Sequence, residues 1–206
     1  QSRESLKAMR EALRLDKLIR DLNSLVDGTM EGADRVKEIV NDLRQFSSTQ
    51  ESEKKRFDLT HVIRTALHWI IKESKHPVEV RETVPDGLFA FGHSGQIHQV
   101  VVNLIQNAVD AMIDSHEKIL TLNAEQVAGT IEFRVSDTGS GVSGENLSRL
   151  FDPFFTTKPV GQGTGLGLSI SYGIVSEHGG KLEISNNPTG GAHALLVLPI
   201  EESPVV

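Results

Sequence analysis

The spacing of apolar residues changes near Phe57, and that change limits what the chain can fold into. Upstream, Leu15, Leu18, Leu22, Leu25, Thr29, Val36, Ile39 or Val40, and Leu43 mark a stripe at steps of three and four, with no proline before Phe57. So narrow a stripe belongs to a helix that packs lengthwise on other helices. Gly28 and Gly32 interrupt it at about 1 kcal/mol each relative to alanine, so tertiary packing has to support this helix. A single helix cannot bury its own seam. We expect it to pair with a second copy in a homodimeric bundle rather than fold back on the rest of the chain.

From Phe57 onward the elements are short and mixed. Asp58 or Thr60 caps a helix expected to run to about Ser74, with Val62, Ile63, Ala66, Leu67, Ile70 and Ile71 inward. Residues 78–83 alternate as a strand, Pro85-Asp86-Gly87 turns, and residues 88–91 return as its hairpin partner. A helix covers 95–115, and a polar stretch near 116–128 is assigned no element. Ile131, Phe133 and Val135 alternate in a strand that ends at Asp137. Residues 166–178 form a helix closed by Gly179-Gly180. Two last strands, 182–185 and 192–199, flank a Pro-Thr-Gly-Gly turn. About five strands and three helices predict an α+β fold, a two-layer α/β sandwich in which helices cover one mixed sheet. A long dimerisation helix precedes it, and the expected division is 1–56 and 57–206.

Bulk properties exclude several functions. Hydrophobic residues at 38% and charged ones at 24% describe an ordinary globular chain. A net charge of -7 and 5% aromatic residues argue against a nucleic-acid binder. The absence of cysteine removes disulfides, thiolate catalysis and cysteine-ligated zinc, and suits the cytoplasm. The longest apolar runs are too short to span a bilayer, so no membrane contact is expected of these residues. No His-Glu-x-x-His occurs to suggest zinc.

Chemistry enters with the 95–115 helix. Gln99, Asn103, Asn107 and Asp110 fall at steps of four, four and three and share one face. Ile97, Val101, Leu104, Ile105, Ala108 and Met112 take the packing faces. Polar groups beside a core need partners, because an unsatisfied one costs about 1–3 kcal/mol. Magnesium suits such a face: it takes hard oxygen ligands, retains waters and shares phosphate oxygens. By itself the row also fits asparagines bonded to neighbouring backbone.

Asp137 closes a strand and leads into Gly139 and Gly141. Its carboxylate accepts hydrogen bonds, as from an exocyclic amino group, and the glycines allow a sharp turn and close approach of a planar ring. An Asp-Gly turn between strands is the plainer alternative. Gly163, Gly165 and Gly167 then open a helix, where unshielded backbone N–H groups make an anion site. This is neither a P-loop nor a Rossmann fingerprint, since no Gly-Lys-Ser/Thr follows and no strand precedes. Lys158 offers a cation to phosphate oxygens. Between the glycine clusters, residues 142–162 read as a lid in which Phe154 and Phe155 are anchors and Gly144, Gly161 and Gly163 give freedom to move.

These four pieces resemble a known family. Asn103 to Asn107 is similar to the N box, and Asp137-Thr138-Gly139-Ser140-Gly141 to the first glycine box. Phe151-Asp152-Pro153-Phe154-Phe155-Thr156-Thr157-Lys158 resembles the F box, and Gly163-Thr164-Gly165-Leu166-Gly167-Leu168-Ser169 the second glycine box. In this order they mark the ATP-binding domain of bacterial sensor histidine kinases, a Bergerat-fold ATPase group. The wording of the F box, with Tyr172-Gly173-Ile174-Val175 and His178-Gly179-Gly180, looks closest to the nitrogen-regulator-like kinases. The stretch from Glu31 to Ser47 is similar to the second helix of their dimerisation and phosphotransfer domain. The resemblance implies ATP and Mg2+ as cofactors, with Asn107 as metal ligand, and Asn103 and Asp110 beside it. It implies that Asp137 bonds the adenine amino group and that Gly139 and Gly141 pass close to the nucleotide. Lys158 and the stretch Gly163, Thr164, Gly165, Leu166 and Gly167 would meet the phosphates. Implied partners are a response regulator receiver domain and a second copy of the chain.

One departure matters. The family's phosphoacceptor is a histidine followed by an acidic residue, an Asn or Thr, and a proline, and no such motif occurs here. His116-Glu117 is the only histidine followed by an acid, and Lys118-Ile119-Leu120 follows it. We therefore expect a fragment of a longer kinase, truncated or engineered, that binds nucleotide without labelling itself. The alternative is a natural loss of the phosphoacceptor. Two other functions compete: an ATP-hydrolysing machine related to gyrase B, and a pseudokinase that dimerises and holds a partner. The first needs a water-activating glutamate one turn before Asn107, where Asn103 stands and cannot act as a base.

Overall fold

Strict alternation builds the central layer. In the computed structural model, which describes residues 17–19, 21–30, 32–33, 53–74, 76–159 and 163–201, the strand Thr130–Ser136 buries Ile131, Phe133 and Val135 on one side. Ala192–Pro199 does the same with Ala192, Ala194, Leu196 and Leu198. The apolar faces of two such strands, laid side by side, need a covering layer, and helices supply it.

The chain divides into two compact units, residues 49–156 with 165–206, and residues 1–48 with 157–164. Among its described residues the first contains seven strands: β1 (Lys55–Asp58), β2 (Glu79–Thr83), β3 (Phe89–Gly92), β4 (Ile119–Val127), β5 (Thr130–Ser136), β6 (Lys181–Asn186) and β7 (Ala192–Pro199). Its helices are α1 (Leu59–Glu73), α2 (Ser94–Ala111), the four-residue α3 (Gly144–Leu147) and α4 (Gly167–Glu177). Five strands form one sheet in the order β2-β4-β5-β7-β6, while β1 and β3 pair separately. All neighbours in the large sheet are antiparallel except β2 and β4. Of the second unit, residues 17–19, 21–30 and 32–33 are helical.

The mixed sheet under helices agrees with the expected sandwich, and two details correct it. Residues 88–91 were expected to return against 78–83. Instead β3 pairs β1, Lys55 opposite Gly92 through Asp58 opposite Phe89, and β2 runs parallel to β4. The stretch 116–128, given no element, holds the nine-residue β4. Its inward residues Leu120, Leu122 and Ala124 alternate with Thr121, Asn123 and Glu125, a full strand pattern under a polar composition.

α1 starts as expected, with Asp58 Oδ1 accepting from the His61 N–H at 3.0 Å. α2 sinks Ile97, Val100, Val101, Leu104, Ile105, Ala108 and Val109 into the core, and Met112 just beyond it is fully buried. At its C-terminal end the Lys118 ammonium donates to the carbonyls of Met112, Ile113 and Ser115, a cation where the helix dipole is negative.

Of the seam residues, Leu15, Val36, Ile39, Val40 and Leu43 lie outside the described residues, as does most of the stretch from Glu31 to Ser47. Leu18, Leu22 and Leu25 are described, and all three are exposed in the single chain.

Candidate functional site

The asparagine face of α2 sits between two close glycine contacts. At the far end of the helix Gly139 abuts Ala111, where an added Cβ would stand 2.5 Å from the carbonyl oxygen. The Ser140 N–H donates to that same oxygen at 3.3 Å. Nearer the middle Gly167, the first residue of α4, abuts Asn103, where a Cβ would stand 2.4 Å from Oδ1. A side chain at Gly139 would strike the Ala111 backbone, and one at Gly167 would displace the Asn103 amide, so the two loops are drawn onto α2 about two turns apart. Asn103 and Asn107 lie along the face between them.

These amides are ordered. Asn107 Nδ2 donates to Asn103 Oδ1 at 3.2 Å, and Asn103 Nδ2 donates to Ser171 Oγ on α4 at 2.9 Å. The chain of bonds turns the Asn107 carbonyl oxygen away from Asn103. Asp110 accepts from Gln106 Nε2 at 2.7 Å. An amide oxygen on a partly buried face is the hard donor magnesium takes. Among the described residues no three His, Cys, Asp or Glu side chains gather to cage a metal.

Asp137 follows β5 and is only 7% exposed. Its Oδ1 accepts from the N–H groups of Gly139 at 2.8 Å and Ala192 at 3.2 Å. Oδ2 takes no hydrogen bond from the described residues. Burial pushes its pKa up, and the two backbone donors oppose that rise. An oriented, half-used, poorly solvated carboxylate is well made to accept an N–H from a flat ligand.

The glycines here do more for the protein than the sequence suggests. Gly139 is needed against Ala111, and Gly141, at φ +68°, against Asn186. Gly165, at φ +69°, lies against the Phe154 backbone, where a Cβ would meet the carbonyl carbon at 2.4 Å. Leu166 buries its side chain in the core, so any contact it makes with a ligand is through its backbone. The structure brings together Asn103, Asn107, Asp137, Gly139, Gly141, Gly165, Leu166 and Gly167, with Asp110 on the same helix. Lys158, Gly163 and Thr164 fall in the segment 157–164, which belongs to the other unit.

In the expected lid, Phe151 makes an aromatic contact that the sequence reading did not name. Phe151 stacks on Tyr172 of α4 at 5.0 Å, and Arg149 lies over the Phe155 ring at 4.5 Å. Phe154 is 70% exposed and has a left-handed backbone at φ +66°. Sequence reasoning also missed Ser171, Asn186 and Asn187. The pair Asn186-Asn187 ahead of a proline turn was a usable signal, because asparagine at turns bonds nearby backbone.

Residues 92–202 match the family described as histidine kinase-, DNA gyrase B-, and HSP90-like ATPase. The chain belongs to that family. Within this ATPase family its similarities are to sensor kinases. It is 36% identical over 181 residues to the sensor protein FixL of Bradyrhizobium diazoefficiens, covering 86% of this chain and 35% of the relative. It is 31% identical over 170 residues to the sensor histidine kinase ZraS of Escherichia coli K12, covering 82% and 36%. Among solved structures, a mycobacterial sensor histidine kinase, MprB, superposes with a TM-score of 0.64 at 26% identity, covering 71% of this chain and 97% of that one. This is a sensor-histidine-kinase catalytic domain with an ATP-binding fold. The chain spans about a third of the length of these two curated relatives. Among the described residues no helix is long and apolar enough to cross a membrane.

Proposed function

We propose that this chain is the part of a two-component sensor histidine kinase that holds Mg-ATP and offers its γ-phosphate to a histidine. The acceptor histidine would lie outside the motifs of this chain, and a response regulator aspartate would then collect the phosphoryl group. The observation that carries the reading is the site itself: a buried Asp137 with one unused carboxylate oxygen, set at the end of an ordered asparagine face.

In this reading Asp137 Oδ2 accepts a hydrogen bond from the adenine amino group, and the glycine-lined loop lies along the ring. Asn107, oriented through Asn103 and Ser171, provides an oxygen to magnesium; the ion would neutralise phosphate charge as phosphoryl transfer begins. Asp110 is close enough along the helix to bond water around it. The backbone N–H groups from Gly165 to Gly167 would meet the phosphates, and the family resemblance adds Lys158, Gly163 and Thr164 as expected phosphate contacts. What the protein contributes is position and charge complementarity, since phosphoryl transfer asks little covalent chemistry of it. Asn103 in place of a carboxylate leaves water without a base there, which supports transfer over hydrolysis.

Residues 1–56 form the dimerisation and phosphotransfer segment and residues 57–206 the catalytic domain, in a cytoplasmic homodimer. The test is one incubation with Mg-ATP in which bound nucleotide, free phosphate and protein-bound phosphate are all measured. Binding without release or labelling is expected. Sustained phosphate release would overturn the transfer reading in favour of an ATPase.

A further inference from the structure

The turn between β6 and β7 reaches back to the start of the lid. Asn186, the last residue of β6, makes two hydrogen bonds to the backbone of Val142. The Val142 N–H donates to Asn186 Oδ1 at 2.7 Å, and Asn186 Nδ2 donates to the Val142 carbonyl at 2.6 Å. A side-chain amide thus supplies the donor and acceptor that a neighbouring strand would supply, and Val142 is held as though in a sheet. Gly141 makes this approach possible: a Cβ there would stand 2.9 Å from Asn186 Oδ1 and 3.3 Å from the Gly191 carbonyl oxygen.

The neighbouring asparagine faces the other way. Asn187 Nδ2 donates to the carbonyls of Ala192 at 2.9 Å and Asp137 at 3.3 Å. Its Oδ1 faces His193 Nδ1 at 3.0 Å, which must carry the proton because Oδ1 only accepts. One turn therefore serves both ends of the loop. Asn187 secures the strand end that carries Asp137, and Asn186 secures the residue from which the lid departs.

Just beyond Val142, from Ser143 to Leu147, the chain packs only lightly on the domain. The short α3 buries no residue and has no side-chain cap at Ser143. The next aromatic contact to the domain is Phe151 on Tyr172.

We propose that Asn186 is a positioning residue, the fixed end of the nucleotide lid, acting only through Val142. What the lid covers rests on the nucleotide reading above. With the clamp in place the segment after Val142 starts from one direction, and closing over a ligand orders fewer residues. Without it, both Val142 groups turn to water at small cost to the fold, and the ordering cost moves to the binding step.

The test uses the whole chain, a fluorescent trinitrophenyl ATP analogue, and hydrogen exchange resolved at Val142. For Asn186→Ala we expect the Val142 amide to exchange roughly tenfold faster or more, as local opening becomes easy. The analogue should bind about five- to tenfold more weakly because more of the lid must be ordered. Competition by ATP over GTP should keep its wild-type ratio, since Asp137 is untouched. Asn186→Asp retains an acceptor for the Val142 N–H and loses the donor, so its Val142 exchange should stay closer to wild type. An Asn186→Ala chain whose exchange quickens while affinity stays unchanged makes the clamp merely local and overturns the proposal. So does a loss of the ATP-over-GTP ratio, which would put the effect on the base site. If Asn186→Ala does not fold, Asn186→Ser, too short to keep both bonds to Val142, decides by the same criteria. A wild-type chain that fails to bind the analogue overturns the nucleotide reading itself, an outcome separate from either result at Asn186.

Discussion

Asp137 is under two opposed demands. On the proposed reading its carboxylate serves a ligand, and its burial opposes folding while it is charged. The folded pKa is raised, mainly by desolvation and against the pull of the Gly139 and Ala192 N–H groups. A raised acid means the folded state holds its proton more tightly than the unfolded chain. Its contribution to stability is therefore most favourable at low pH and is lost as pH rises through the folded pKa. Asp137→Asn preserves the shape and an acceptor for both backbone donors. We expect it to melt no lower than wild type at pH 7, with the gap between the two shrinking as pH falls toward 4. Its ATP affinity should drop by roughly tenfold to a hundredfold, the cost of a hydrogen bond to a charged group. Calorimetry and nucleotide titration on the same samples would show the opposite signs. Ala128 is a second exposed cost, a non-glycine residue at φ +44° beside Gly129 at φ +88° in the two-residue turn between β4 and β5. Such a turn favours Asn-Gly. Ala128→Asn should stabilise by about 0.5–1 kcal/mol, read in chemical denaturation with an unchanged slope.

At the scale of elements, α2 and α4 lie antiparallel and are pinned at two places. One pin is Asn103 to Ser171, within the site. The other lies at the opposite end of α4, where His178 Nδ1 donates to the Ile174 carbonyl at 2.7 Å and Nε2 accepts from the His93 N–H at 2.9 Å. That pairing requires a neutral imidazole. Burial lowers the His178 pKa, and Lys54 and His93 add to the effect against Glu177 and the Ile174 carbonyl. Because the folded state binds the proton less readily, stability is fully present above the unfolded value near 6.5. It declines as pH falls below that toward the folded pKa. Wild-type melting should show this slope as pH falls below about 6.5, and His178→Gln should flatten it.

The same elements show where the sequence was legible. Helices announced themselves by burial period and caps: α1 began at Asp58, and α4 ended at its Gly179-Gly180 stop. The site boxes were visible because glycine marks close approach whatever the partner. β4 was hidden because Asn, Gln and Glu fill its outer face, and composition masked a true alternation. β1 was too short to show a period. The β2–β3 hairpin was the natural reading of a Pro-Asp-Gly turn. It failed because Leu88 turns into the core and its carbonyl accepts from the Leu59 N–H, sending β3 to β1. Asn186 and Ser171 could not be found by spacing, since their partners lie 44 and 68 residues away.

For the molecule as a whole, the helical residues 17–19, 21–30 and 32–33 leave Leu18, Leu22 and Leu25 between 59% and 69% exposed in one chain. Isolated leucines at a surface are common, but a row at helical spacing is a seam awaiting another helix. On the proposed pairing, Leu22→Lys should convert a dimer to a monomer in light scattering and leave nucleotide affinity intact.

The order of the large sheet, with β2 at one margin and β6 at the other, has a consequence for how copies meet. Glu79, Arg81 and Glu82 stand exposed along one margin, and Lys181 and Glu183 along the other. An uncovered strand is a template for a foreign strand, and charge along it is what discourages that growth. Copies crowded together would thus be steered away from fibrous stacking through their sheets, which would leave recognition between them to the proposed helical seam.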